Sequence, residues 1–316
     1  MSRFWQAALL LATAAITPSC ATDADPAARR SGLIFVCGKT FAVDAPVVTY
    51  QEIGSYDATL ESCHFDPERV LPTVPSEGCN VPRRYGVRST RGLNPETAAR
   101  VAATGWDLAA LQERVHQFVL HFDVCVTSER CFKVLQDVRG LSVHFMLDVD
   151  GTIHQTLDLE HRARHAGTAN DFSVGIEIAH IGCYPPKDRA KWVKYYVPIG
   201  DYWQLEIPLS LGPPPGGPFL TARPGVFTGT INGGHYEMPD YTEAQYRSLR
   251  ALIDTLVTVF PRLKRDAPRD AGGAVLDRAM DDATLRAYEG LLGHYHVTKA
   301  KNDPGPGLDW DRILAD

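Results

Sequence analysis

Apolar and polar positions along the middle of the chain follow two rhythms, the two-residue period of strands and the 3.6-residue period of helices. Phe118-Val119-Leu120 is a short apolar run that ends in His121. It predicts a buried strand delivering an imidazole at its carboxyl end, where ligands gather in open α/β sheets. Val143 to Leu147 and Thr152 to Leu157 flank Asp148-Val149-Asp150-Gly151, and Asp-Gly between two apolar runs predicts a hairpin. Ser173 to Ala179 predicts a further strand, apolar except for Glu177. Between these runs lie helix signals. Asn94 caps a helix with Pro95 at its first position and Gly105 as its stop, and a second helix follows Asp107 with Leu108, Leu111 and Val115 at helical spacing. Ser128 to Val138, closed by Gly140, predicts a third. The longest opens on the capping box Thr242-Glu243-Ala244-Gln245, carries Tyr246, Leu249, Leu252, Ile253, Leu256, Val257 and Phe260 on one face, and stops at Pro261. A short helix is expected from Ala283 to Glu289. Strands interleaved with helices place the chain in the α/β class, with a mixed central β-sheet flanked by helices.

The flanks of this pattern divide the chain. Met1-Ser2-Arg3, an apolar run from Phe4 to Ile16 and Thr17-Pro18-Ser19-Cys20 read as a secretory signal over residues 1–20. Its last residues resemble a bacterial lipoprotein signal, in which Cys20 takes a lipid; plain secretion is the alternative. The chain is therefore expected in the cell envelope, anchored to a membrane in the periplasm or outer membrane. Residues 21–33 read as a tether, 34–93 as a disulfide-pinned amino-terminal extension, and 94–316 as the main domain. The main domain carries a loop-rich insertion over 181–240, marked by Pro185-Pro186, Pro213-Pro214-Pro215 and Gly233-Gly234. The aromatic residues of the insertion are expected to wall a groove.

Beyond Cys20 six of the seven cysteines remain, Cys37, Cys63, Cys79, Cys125, Cys131 and Cys183, an even number in an exported chain. Cys125 and Cys131 are close enough in sequence to close a small loop, with two free buried thiols as the alternative; the pairing of the other four is open. A net charge of -6 over 316 residues, with no long basic run, excludes nucleic acid as the main partner. An anionic ligand has to be met by local cations.

Candidate chemistry concentrates near the carboxyl end, in Gly293-His294-Tyr295-His296 and Lys301-Asn302-Asp303-Pro304-Gly305-Pro306. His294 follows an apolar pair and a glycine, as His121 follows its apolar run. Read as a strand, the stretch puts His296 on the same face as His294, which makes His296 the rival ligand. His121, His294 and Asp303 supply two imidazoles and a carboxylate, which leave a zinc ion one position for water. Hydrolysis then needs a proton acceptor and a cation for the developing oxyanion. Glu177 on its apolar strand is the candidate base, and Lys301, or else Lys299, the candidate cation. The bland readings are a Glu177 paired with a buried arginine, a solvated Lys301 and a turn-capping Asp303.

Taken in order, His121, Ser142-Val143-His144-Phe145, Asp150-Gly151-Thr152-Ile153, His165-Ala166-Gly167, Asn170-Asp171-Phe172-Ser173-Val174-Gly175-Ile176-Glu177, Gly293-His294 and Asp303-Pro304-Gly305-Pro306 resemble the zinc-dependent N-acetylmuramoyl-L-alanine amidases of the peptidoglycan-recognition-protein and phage-lysozyme-like fold. The resemblance covers roughly 115–180 and 241–312. It implies zinc on His121, His294 and Asp303, Glu177 as general base, Lys301 at the oxyanion, and His165 and Asn170 as substrate contacts. The substrate it implies is peptidoglycan or its muropeptides, cut between N-acetylmuramic acid and L-alanine by a monomer. Cys125 and Cys131 resemble a disulfide of the animal recognition proteins. The chain departs from the pattern at Val143, where some members carry Tyr, and at Thr298-Lys299-Ala300, which replaces Pro-Gly-Arg. The rival readings are a non-catalytic peptidoglycan-binding module of the same fold and a zinc hydrolase of that fold opening a different amide.

Overall fold

A computed structural model describes residues 32–60, 62–63, 66–70 and 84–315. The signal, Cys20, the tether through residue 31, Cys79 and the side chain of Cys63 lie outside the described residues. The architecture is α/β: a six-stranded mixed sheet in the order Gly290–Gly293, Gln117–Phe122, Ser173–Ile178, Phe145–Leu147, Ile153–Gln155, Val47–Thr49. The first four strands run parallel, Ile153–Gln155 turns back antiparallel through the Asp148–Gly151 hairpin, and Val47–Thr49 runs parallel to it. Gly151, at φ +87°, makes that tight reversal possible.

Alternation along the strands sorts the side chains onto two faces. Phe118, Leu120, Phe122, Val174, Ile176, Ile178, Phe145 and Leu147 pack in one core with the helix Glu243–Val259, whose Tyr246, Leu249, Leu252, Ile253 and Leu256 are all buried. That helix starts on the expected capping box, with both Thr242 and Gln245 engaged. The opposite face carries Val119 and Leu292 against Ala166, Ala169 and Phe172, and Met146 against Phe132 and Leu135. His121 and Glu177 belong to this second face by the same alternation. The expected helix from Ser128 is α-helical only to Lys133 and continues as a π-helix, Val134–Arg139, before Gly140 at φ +60°.

The segment before the main domain is tied in by side chains that reach across the chain. The hairpin Gly32–Val36 and Lys39–Val43 sends Ile34, Val36 and Val43 into the main core. Gln155 brackets Phe35, accepting from its N–H and donating to its C=O at 2.8 Å each, and Asp158 accepts from the N–H groups of Cys37 and Gly38 at 2.7 and 2.8 Å. Arg88 is 2% exposed, and its guanidinium donates to the carbonyl oxygens of Leu159, Asn170, Asp171 and Ser173 at 3.0–3.1 Å. No disulfide is found among the described residues, where Cys37, Cys125, Cys131 and Cys183 are all free thiols. Cys125 and Cys131 are both buried free thiols, and the expected bridge between them is not formed.

The segment 181–240 is more regular than its prolines suggest. Tyr196–Ile199, Tyr202–Leu205 and Phe219–Leu220 form a three-stranded sheet, and Phe227–Ile231 with Gly234–Met238 forms a hairpin. Trp192, Tyr196 and Leu205 bury themselves against Val149 and Ala179 of the main domain. Among the described residues no helix is long and apolar enough to cross a membrane.

Two outcomes follow. Arg88→Met leaves four carbonyl oxygens, three of them buried, without their donor, and we expect a loss of about 3–5 kcal/mol, read as a fall in the calorimetric Tm of about 8 °C or more. His180, 1% exposed, accepts from the Gly182 N–H through Nδ1 and is held down to about 3 by burial, against 6.5 when free. Its folded pKa lies below its unfolded one, so its contribution is intact above pH 6.5 and is lost as pH falls. Wild type should therefore lose about 1.4 kcal/mol per pH unit relative to His180→Asn between about pH 6 and about pH 4, measured by urea unfolding.

Candidate active site

The site begins with register. In the parallel pair of strands Glu177 lies opposite His121, and Leu120 lies opposite Gly293, so the residue after Gly293 emerges beside His121. That residue is His294. Gly293 is the only residue type with room there, since a Cβ would stand 2.7 Å from the Tyr295 ring and 2.8 Å from Pro304 Cδ. The chain does not continue as a strand: His294–Val297 is a single helical turn. His296, the rival ligand, is thereby turned away, its Nδ1 accepting from the Gly293 N–H at 2.9 Å and its Nε2 bonded to Leu276 O at 2.6 Å. Asp303 is brought back by its own carbonyl, which accepts from the Tyr295 N–H.

His121 Nδ1, His294 Nδ1 and Asp303 Oδ2 stand in a triangle with every side 2.9 Å, and all three residues are buried. Burial, then His294, push the His121 imidazole down to about 4, with Asp303 opposing. Burial alone would raise the Asp303 carboxyl, but His294 and His121 beside it hold it well below the usual carboxylate range. The His121 imidazole is then neutral and the Asp303 carboxyl ionised. No placement of protons makes all three edges good hydrogen bonds, because two N–H groups aimed at Asp303 face each other and one N–H leaves two lone pairs opposed. One cation held by all three atoms would satisfy the three lone pairs together, and the N, N, O set is one that zinc accepts.

Behind the triangle, His121 Nε2 lies 3.0 Å from His165 Nδ1, and His165 Nε2 lies 3.2 Å from Ser173 Oγ. An Nε2–H on His121 donating to His165 fixes the tautomer whose Nδ1 lone pair points into the triangle. The His165 ring occupies the space over Gly175, where a Cβ would come within 2.4 Å of Nδ1. Both ring nitrogens of His165, read from the sequence as a substrate contact, thus face other side chains of the protein. The other such candidate, Asn170, is buried, and its Oδ1 accepts from the N–H groups of His165 and Ala166 at 3.1 and 2.7 Å.

In front lies a cavity of about 290 Å³. His121, His165, Glu177 and Lys301 line it together with Val134, Leu135, Arg139 and Arg164. Burial, then the charge of Asp303, push the Glu177 carboxyl well above its usual range. The π-helix delivers Val134, Leu135 and Arg139 to one side of the cavity, and Arg139 and Lys301 form no ion pair among the described residues. No lining residue comes from 181–240, so the aromatic residues of that segment do not wall this cavity.

Sequence reasoning passed over Asp123 and Asn232. Asp123 Oδ1 accepts from the N–H groups of Cys125, Val126 and His180, holding the cavity rim where Val124 and Val126 sit at φ +55° and +75°. Asn232 reaches the His294–Asp303 loop from the turn of the hairpin Phe227–Ile231 and Gly234–Met238. Asn232-Gly233-Gly234 was a legible turn signal, but its distant target was not.

Seven chains of solved structure match this one. It is similar to a selenomethionine derivative of AmpD, at 20% identity over 77% of this chain and 95% of that one, with a TM-score of 0.35. It is similar to the E.coli N-acetylmuramyl-L-alanine amidase AmiD, solved with anhydro-N-acetylmuramic acid-L-Ala-D-gamma-Glu-L-Lys, at 16% identity over 63% of this chain and 56% of that one, TM-score 0.36. It is also similar to the endolysin LysCS from Clostridium intestinale, at 15% identity over 65% and 84%, TM-score 0.31. No curated protein matches. Residues 111–208, the stretch that holds His121, His165 and Glu177, match the family model described as N-acetylmuramoyl-L-alanine amidase.

Proposed function

We propose that this protein is an exported zinc amidase that hydrolyses the bond between the lactyl group of N-acetylmuramic acid and the L-alanine of peptidoglycan stem peptides. The observation that carries the reading is the 2.9 Å triangle of His121, His294 and Asp303 beside Glu177, partly within the stretch matched by the amidase family. A lipid on Cys20 would hold the enzyme at a membrane, facing the wall or its soluble muropeptides.

Zinc held by the three side chains supplies a Lewis acid and lowers the pKa of a water from about 15.7 to about 7. Glu177 takes the proton of the attacking water on a carboxylate oxygen as that water's oxygen bonds to the lactyl carbonyl carbon. The same carboxyl returns the proton to the alanine nitrogen as the carbon–nitrogen bond breaks, leaving a lactyl carboxylic acid and a free amine. A carboxyl held above its usual range suits both halves of that exchange. Lys301 supports the oxyanion from the cavity wall. His165 keeps His121 in the tautomer that binds, and Arg139 supplies a local cation to substrate anions in a chain of net charge -6.

The decisive comparison is wild type against Glu177→Ala and His294→Ala on purified muropeptides, with zinc content recorded. We expect Glu177→Ala to keep its zinc and lose turnover by about 10²-fold or more, and His294→Ala to lose both. Full turnover in Glu177→Ala would remove Glu177 as the base, and a wild type that binds muropeptide without cutting it would leave a binding module instead. Mass analysis of the products identifies the amide that opens.

A further inference from the structure

We propose that Asn232, at the tip of the insertion hairpin, is a positioning residue for Lys301, so that the insertion serves the site by bracing its last loop from behind. The inference rests on the functional reading above. The single helical turn His294–Val297 is followed by an irregular stretch to Asp303, and such an end leaves backbone carbonyls without helical partners. Asn232 Nδ2 lies 3.2, 3.4 and 3.0 Å from the carbonyl oxygens of Tyr295, Thr298 and Lys301. One amide therefore meets three carbonyls spaced along the loop that separates His294 from Asp303.

The amide is itself held. Asn232 Oδ1 accepts from the Ala279 N–H at 2.8 Å, and its backbone N–H donates to Asp277 O at 2.9 Å. Asn232 sits at φ +50°, a conformation that asparagine and glycine adopt more readily than other residues. The rest of the hairpin lies along the same loop. A Cβ at Gly229 would touch Pro306 Cβ at 2.8 Å, and Met238 Sδ fills the space beside Gly305, where a Cβ would stand 2.4 Å away. Just beyond the hairpin, Tyr241 Oη donates to Pro304 O at 2.8 Å.

Why Lys301 should depend on this brace follows from its surroundings. Among the described residues Lys301 forms no ion pair, so nothing fixes its ammonium from the side-chain end. The position of the charge over the cavity is set by the backbone that carries it, and the Lys301 carbonyl is the nearest of the three acceptors.

The test is a double-mutant cycle of Asn232→Gly and Lys301→Ala on stem-peptide release, with zinc content and hydrogen exchange over residues 295–303 measured alongside. Glycine keeps the φ and removes the amide. We expect Asn232→Gly to speed exchange in the loop and to lower kcat by about 10–100-fold at nearly unchanged KM and full zinc, as for a displaced catalytic group. In the Lys301→Ala background it should cost less than about threefold, because the group it positions is gone. Independent losses, unchanged exchange, or loss of zinc together with rate would overturn the proposal. Should Asn232→Gly fail to fold, Asn232→Asp, which keeps the acceptor for Ala279 but sets an oxygen against the three carbonyls, must give the same pattern, and a wild-type rate in it overturns the proposal. Loop exchange is read in the metal-free protein, so this inference can fail while the amidase reading stands, and the reverse.

Discussion

Parallel pairing of three neighbouring strands in matched register is the constraint on which the site depends. Because Glu177 lies opposite His121 and Gly293 opposite Leu120, an acid and two imidazoles arrive at one end of the sheet without any loop having to carry them there. Rigid strands place these groups more narrowly than loops do. Asp303 and Lys301 lack that advantage, and the structure surrounds their loop with external hydrogen bonds from Asn232 and Tyr241.

The same register explains two empty spaces in the sequence. Gly175 is small because the His165 ring needs its volume, and Gly293 is small because Tyr295 and Pro304 close over it. Neither glycine is there for backbone freedom. Both are there because the side chains around the His121, His294 and Asp303 triangle approach closely, and a single methyl group at either position would push a ring out of place.

Much of this was legible beforehand. The apolar run ending in His121, the lone carboxylate at Glu177, the Asp-Gly hairpin and the Thr242 capping box are local signals, and each describes its own surroundings. What stayed hidden was long-range. Arg88 serves carbonyls at Leu159 and Ser173, Asn232 serves Lys301, and no period or motif reports such partners. His294 and His296 looked like alternating strand positions because four residues are too few to display a helical rhythm, and the turn is imposed by the contacts of Gly293. An even number of cysteines suggested covalent pins for the first segment; Cys37 is a free thiol, Cys79 and the side chain of Cys63 lie outside the described residues, and Gln155, Asp158 and Arg88 tie the segment in by hydrogen bonds.

The order of strands has one more consequence. The edge strand Gly290–Gly293 follows every other strand of the sheet in the chain, and both His294 and Asp303 come after it. Two of the three donors of the triangle therefore lie downstream of the whole sheet and of the helix Glu243–Val259 in the chain.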